Sequence, residues 1–195
     1  MAHFRKLLLP STKMLVLLKA NAYGHGAAVL AREVEAAGAD YLAVAFANEG
    51  IELRNAGAKL PIIVLTGGVE CFPEMVEYGL EPGLPDMKAV SLFNEYLVSI
   101  GRKNYPCHIK IDSGMHRVGF MEEDVADLVK FLSGGTALKI ESIYSHLAGS
   151  DDPSLDDFTL EQASVFDALS VKIMEALDYK PMRHLLNTAG IERFA

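Results

Sequence analysis

The residues best suited to chemistry are Lys19, which ends the apolar run Met14–Leu18, Tyr23 just after it, and a set of polar groups that follow later apolar runs: Arg117, His146, Asn187 and Thr188. An ammonium at the end of a strand buried on both faces has its charged form disfavoured by desolvation, which makes it a candidate amine nucleophile for a carbonyl. A strand-end lysine that merely reaches for solvent is the plainer alternative. With an arginine, a histidine and several hydroxyls alongside, the set suits imine chemistry, in which the lysine forms a Schiff base and the other groups hold an anionic, aromatic cofactor. The turn Gly24-His25-Gly26 lacks the spacing of a P-loop, so a phosphate here would be met by backbone N–H groups or by Tyr23. His25, His108, His116 and His184 lack the i, i+4 pairing or cysteine companions of a zinc site, and no metal is expected.

These groups need a scaffold, and the hydrophobic pattern supplies one. Met14–Leu18 predicts a buried strand, and Ala27 to Ala37 predicts a helix closed by Gly38. The unit repeats with a strand at Tyr41–Phe46 and a helix from an Asn48 cap to Ala56, then again with Pro61–Thr66 and Phe72–Tyr78. Leu80–Leu84 is the weakest strand, because Pro82 has no N–H to give a ladder. Asp86 caps a helix ending at Gly101, His108–Ile111 is the next strand, and Asp112–Gly119 is a polar, glycine-marked loop of the kind that carries function. Glu122–Leu132 predicts an amphipathic helix and Leu138–Tyr144 a strand. An acidic loop, Ser150–Asp157, then precedes a helix started by a Thr159/Gln162 capping box and running to about Leu177. Met182–Asn187 is the last strand, with Thr188-Ala189-Gly190 turning toward a helix.

Strands alternating with amphipathic helices argue for a parallel sheet with helical crossovers. A doubly wound sheet and a (β/α)8 barrel both fit the alternation. The chemistry-bearing residues follow at least four different strands, which favours the TIM-type barrel, where all strand ends meet at one rim, here with about seven βα units and so incomplete. No charge-rich or Ser/Pro-rich linker divides the sequence, and one domain over residues 1–195 is expected.

Composition narrows the partners. A net charge of −8 at 50% hydrophobic content leaves no basic stripe for nucleic acid. Cys71 and Cys107 have no metal spacing and suit reduced thiols in the cytoplasm. Arg5-Lys6 followed by apolar residues superficially imitates a signal peptide, but Pro10, Lys13 and Lys19 break the run. No apolar stretch approaches the roughly 20 residues of a membrane span.

The run Leu18-Lys19-Ala20-Asn21-Ala22-Tyr23-Gly24-His25-Gly26 resembles the pyridoxal-phosphate attachment signature of the alanine racemases. Lys110-Ile111-Asp112-Ser113-Gly114-Met115-His116-Arg117, Tyr144-Ser145-His146 and His184-Leu185-Leu186-Asn187-Thr188 resemble later segments of that family, in order. The resemblance implies a cofactor, pyridoxal 5'-phosphate, carried by Lys19 as an aldimine, with Lys19 then serving one face of the substrate α-carbon in a two-base racemisation of L- and D-alanine. It places Tyr23, Asn187 and Thr188 at the phosphate, His146 by the pyridine ring, and Arg117, a catalytic residue with Lys19, near the phenolic oxygen and the substrate carboxylate. It makes Lys110 a candidate for carbamylation, the plainer alternative being a solvent-facing strand residue. It also implies a homodimeric, cytoplasmic enzyme supplying D-alanine for cell-wall synthesis. The family has a further barrel segment with an arginine facing the pyridine nitrogen, and a C-terminal β domain whose tyrosine serves the opposite face of the substrate. Neither has a counterpart in this sequence, so a fragment that racemises alanine poorly or not at all is expected. Leu17 and Thr188 stand where the family usually has valine and serine. The alternatives are a non-catalytic pyridoxal-phosphate carrier barrel and an aldolase-type enzyme with Lys19 bound to substrate directly.

Overall fold

Short, continuous runs of Val, Ile, Leu and Ala are what a strand covered on both faces requires, and they pair here as parallel strands. The computed structural model describes residues 1–195, in two compact units, Met1–Gly83 and Leu84–Ala195. No helix is long and apolar enough to cross a membrane.

In the first unit, α1 (Ala2–Leu7) precedes β1 (Leu15–Leu17), α2 (Ala27–Ala36), β2 (Tyr41–Val44), α3 (Ala47–Asn55), β3 (Ile62–Val64), α4 (Phe72–Glu77) and β4 (Glu81–Leu84). Neighbouring strands pair in chain order, with Leu15 beside Tyr41, Leu42 beside Ile62 and Ile63 beside Glu81. Leu42, Ala43, Val44, Ile62, Ile63 and Val64 are all fully buried, so helices and loops cover both faces. β4 forms despite Pro82. The Arg54 guanidinium ties the far ends of the helices by donating to the carbonyls of Ala58, Leu60, Tyr78 and Gly79.

The second unit holds α5 (Met87–Ser99), β5 (Tyr105–Lys110), α6 (Glu122–Ser133), β6 (Leu138–Tyr144), α7 (Asp156–Met174), β7 (Met182–His184) and α8 (Thr188–Phe194). Asp86 caps α5 through the N–H of Ala89 at 2.8 Å, as its position before the apolar periodicity predicts. Lys110 stands beside Tyr144 and Tyr144 beside His184, so three side chains rank level across β5, β6 and β7. One residue pair further down, His108 and Ser142 form the next rank, after a register shift between Cys107 and His108.

Two expectations fail for local reasons. α3 starts at Ala47, one residue before the expected Asn48 cap, because Glu49 in its first turn accepts the N–H of Phe46 at 3.0 Å. α7 starts at Asp156, three residues before Thr159, since Asp156 and Asp157 suit the positive end of the helix. Thr159 and Gln162 are therefore buried inside it: the Thr159 hydroxyl has no hydrogen-bond partner, and Gln162 accepts the N–H of Ala148 at 2.9 Å.

Candidate functional site

Every sequence-predicted residue lies at or just beyond the C-terminal end of its strand: Lys19 and Tyr23 after β1, Lys110 and Arg117 at and after β5, His146 after β6, and Asn187 and Thr188 after β7.

In the first unit, Leu18 is 2% exposed and closes the apolar wall, while Lys19 beyond it is half-buried. From Ala20 to Tyr23 the backbone winds the wrong way, with φ between 51° and 54° at four consecutive non-glycine residues. A left-handed conformation costs an L-residue about 1–2 kcal/mol, so a run of four marks stored strain of the kind found at functional sites. Gly24, at φ 87°, ends the turn where a side chain would add to that strain. Asn21 spends its side-chain carbonyl on the N–H of Ala27 at 2.8 Å, starting α2. The Tyr23 ring, 61% exposed, has the Lys19 ammonium 5.9 Å from its centroid. An amine and an aromatic hydroxyl-bearing ring are thus presented together at the strand end.

In the second unit, the desolvated lysine is Lys110. It is 8% exposed, and its ammonium donates to the Ile111 carbonyl at 2.9 Å and lies 5.3 Å from the centroid of the Tyr144 ring. Burial pulls its pKa down, the Asp112 carboxylate pulls it back up, and the Arg117 charge lowers it again, to about 8. His184 stacks on Tyr144 with ring centroids 5.0 Å apart and nearly parallel planes. The Nε2 of His184 lies 3.0 Å from the Ser142 hydroxyl, which is also 2.7 Å from Nδ1 of His108. Burial, with His108 and Lys110 nearby, lowers the His184 pKa to about 3, so the ring is neutral at pH 7. Burial likewise pushes the Tyr144 phenol up, keeping it protonated.

Arg117 is exposed on a loop whose two ends are sewn together: Phe120 N donates to the Lys110 carbonyl at 2.8 Å and Asp112 N to the Phe120 carbonyl at 2.9 Å. Asp112 organises the loop from inside, accepting the N–H groups of Gly114, His116 and Arg117 at 3.0, 3.0 and 2.8 Å. Burial raises its pKa, but these three donors and the Lys110 charge outweigh it and hold the carboxyl below the usual range. Gly119 stands at φ 132°, where an added Cβ would lie 2.5 Å from the Asp112 nitrogen. His146 is half-buried, its carbonyl held by the Gln162 side-chain amide at 3.2 Å. Asn187 caps α8 through Gly190 N at 2.8 Å, accepts the Ser150 hydroxyl at 2.7 Å and donates to the Leu147 carbonyl at 3.2 Å. Its amide thus fixes three segments, leaving Thr188 exposed at the first residue of α8.

Sequence reasoning missed Glu49, whose carboxylate takes the N–H of Ala20 at 2.6 Å in addition to those of Ala45 and Phe46. The signal available was an acidic residue three positions into a helix directly after a strand.

The family model for the alanine racemase N-terminal domain matches residues 1–195. The chain belongs to the alanine racemase family. The alanine racemase of Synechocystis sp. is 39% identical over 191 residues, covering 96% of this chain and 50% of that protein, and that of Nostoc sp. is 34% identical over 191 residues. The solved alanine racemase of Clostridium difficile 630 superposes with a TM-score of 0.89 at 34% identity, over 97% of this chain and 52% of its own, and a second structure of it is a complex with cycloserine. The alanine racemase of Bartonella henselae, 24% identical with a TM-score of 0.83, was solved with covalently bound pyridoxal phosphate. The chain spans about half the length of the relatives it matches. Its fold class is the (β/α)8 barrel, of which it supplies seven parallel strands.

Proposed function

We propose that residues 1–195 form one cofactor-bearing domain of a pyridoxal-phosphate-dependent racemase that interconverts L- and D-alanine in the cytoplasm, supplying D-alanine for cell-wall synthesis. The observation that carries this reading is the strained turn at Lys19: the family's attachment motif coincides with four left-handed residues that hold an amine beside an exposed tyrosine. The donor set fits the cofactor. An amine for its aldehyde, a phenol and helix-start groups for its phosphate, and an arginine for its phenolic oxygen are all present at strand ends.

When bound, pyridoxal phosphate supplies an electron sink for the carbanion left when an amino-acid α-carbon loses its proton. Lys19 would hold the cofactor through its aldehyde, and its freed amine would move the proton at one face of that carbon. Tyr23 and Thr188 bind the phosphate, and Asn187 fixes the start of α8 so that the Thr188 hydroxyl is presented. His146 flanks the pyridine ring. Arg117 meets the phenolic oxygen and the substrate carboxylate, its loop held by Asp112. Lys110, whose pKa near 8 enlarges its neutral fraction, is the site at which carbon dioxide adds to give a carbamate, replacing repulsion of Arg117 by attraction. The proton donor for the opposite face comes from outside residues 1–195, across a homodimer interface.

Two measurements test the reading. Reduction of the mixture with pyridoxal phosphate by borohydride should leave the label on the Lys19 peptide, and label elsewhere refutes it. Racemisation of alanine should appear in the protein that carries this chain at the length of its relatives. Near-native turnover by residues 1–195 alone would refute the placement of the second donor, and an intact mass lacking the carbamyl increment, on protein never exposed to acid, would refute the carbamate.

A further inference from the structure

The turn that presents Lys19 needs restraint, because four consecutive L-residues do not keep a left-handed backbone unaided. Part of the restraint is internal: Ala22 N donates to the Leu18 carbonyl at 2.9 Å, Gly24 N to that of Ala20 at 3.0 Å and Gly26 N to that of Asn21 at 3.0 Å. Part comes from the sheet, where Leu18 N donates to the Ala43 carbonyl of β2 at 2.8 Å. Beside the Asn21 side-chain carbonyl, which accepts the N–H of Ala27 at 2.8 Å, a further restraint comes from α3. One oxygen of Glu49 accepts the N–H of Ala20, the first left-handed residue, at 2.6 Å, and the other accepts those of Ala45 and Phe46 at 2.7 and 3.0 Å. Ala45 and Phe46 follow β2 directly, so one carboxylate joins the exit of β1 to the exit of β2. Only an acceptor with lone pairs on both oxygens satisfies three N–H donors in this way, and an amide at the same position offers a donor where an acceptor is needed.

We propose that Glu49 is a positioning residue for Lys19: its carboxylate pins the start of the left-handed turn to the end of β2 and so sets where the lysine amine is presented. The inference rests on the reading of Lys19 as the cofactor-bearing residue. The competing account is helix capping alone, since an acid in the first turn of α3 also favours the positive end of that helix.

Three variants of the whole chain separate these accounts. Glu49→Asp keeps the charge at the helix but withdraws the acceptor from Ala20 by one methylene. Glu49→Gln keeps the shape and loses the charge. Ala20→Gly combined with Glu49→Gln removes the steric penalty at the first left-handed residue, because glycine takes a positive φ freely. The readouts are hydrogen exchange of the Lys19–Gly26 segment without added ligand, equilibrium titration with pyridoxal phosphate followed by borohydride trapping at Lys19, and thermal unfolding. Positioning predicts faster exchange in the segment and about tenfold weaker adduct formation in both single variants, with partial recovery in the Ala20→Gly double variant. Lowered thermal stability with unchanged exchange and unchanged adduct overturns the inference and leaves capping. If Glu49→Gln does not fold, Glu49→Asp decides alone by the same criteria. A wild-type chain that forms no Lys19 adduct overturns the cofactor reading and this inference with it. A wild-type adduct matched by both single variants overturns this inference alone.

Discussion

Two lysines end parallel strands in this chain, and they are held in opposite ways. Lys110 is buried on β5, under Tyr144 and against the Ile111 carbonyl, and its pKa is drawn down to about 8. Lys19 is half-buried, and what is unusual about it is the backbone that follows, four left-handed residues tied down by Glu49 and Asn21. The desolvation argument that draws attention to Lys19 in the sequence is met in the structure by Lys110. On the function proposed above, an attachment lysine would be marked by the shape of the turn that offers it, and a lysine poised for modification by burial.

The largest expected effect tests which lysine takes the cofactor. Lys19→Arg should abolish the borohydride-trapped adduct, whereas Lys110→Met should leave it on Lys19. Peptide mass mapping reads both, and label transferred to Lys110 would invert the comparison. Next, Gly119→Ala should lower unfolding free energy by about 3 kcal/mol or more, because the new Cβ meets the Asp112 backbone at 2.5 Å and φ is 132°. Denaturant midpoints check it, and a loss confined to tenths of a kcal/mol would show that the loop around Arg117 is soft rather than sewn.

The third prediction sharpens the burial half. Below pH 8 folded and unfolded Lys110 are both protonated, and the fold carries the full cost of burying the charge. Between pH 8 and 10.5 the folded chain releases its proton while the unfolded chain keeps it, so stability rises with pH. Wild type kept free of the carbamate should therefore gain on the order of 3 kcal/mol relative to Lys110→Met across that window. Parallel pH profiles would contradict a desolvated Lys110. The smallest effect sharpens the strain half: Ala20→Gly, at an exposed position with φ 51°, should stabilise by up to about 1 kcal/mol, since relief of the left-handed penalty exceeds the entropy that glycine adds to the unfolded chain. Thermal melts check the sign.

The strands were legible where apolar runs are uninterrupted: β6 spans Leu138–Tyr144 as its pattern predicts, and Leu42–Val44 and Ile62–Val64 fall inside the expected runs. Boundaries were less so, because pairing rather than hydrophobicity decides them. β5 reaches back to Tyr105 since Tyr105 pairs with Leu138, and β7 stops at His184 since Asn187 is taken as the cap of α8. Of the candidate site, the motifs name residues that the structure places at or just beyond strand ends. The conformation at Ala20–Tyr23 was not legible, because alanine and tyrosine carry no local preference for positive φ and part of its restraint comes from Ala43 and Glu49, elsewhere in the chain. Glu49 was invisible for the same reason, as its partner Ala20 lies 29 positions away. Thr159 and Gln162 show the converse, a convincing local signature overridden by acids placed earlier in the helix.

The left-handed turn also limits how this sequence can drift. At Ala20, Asn21, Ala22 and Tyr23, β-branched residues meet their own backbone, so Val, Ile and Thr should be purged in a saturation library selected for fold, while Gly, Asn and Asp persist. The signature following Lys19 is, on this view, kept partly by handedness: chemistry selects the lysine, and the backbone independently narrows the alphabet of the residues after it.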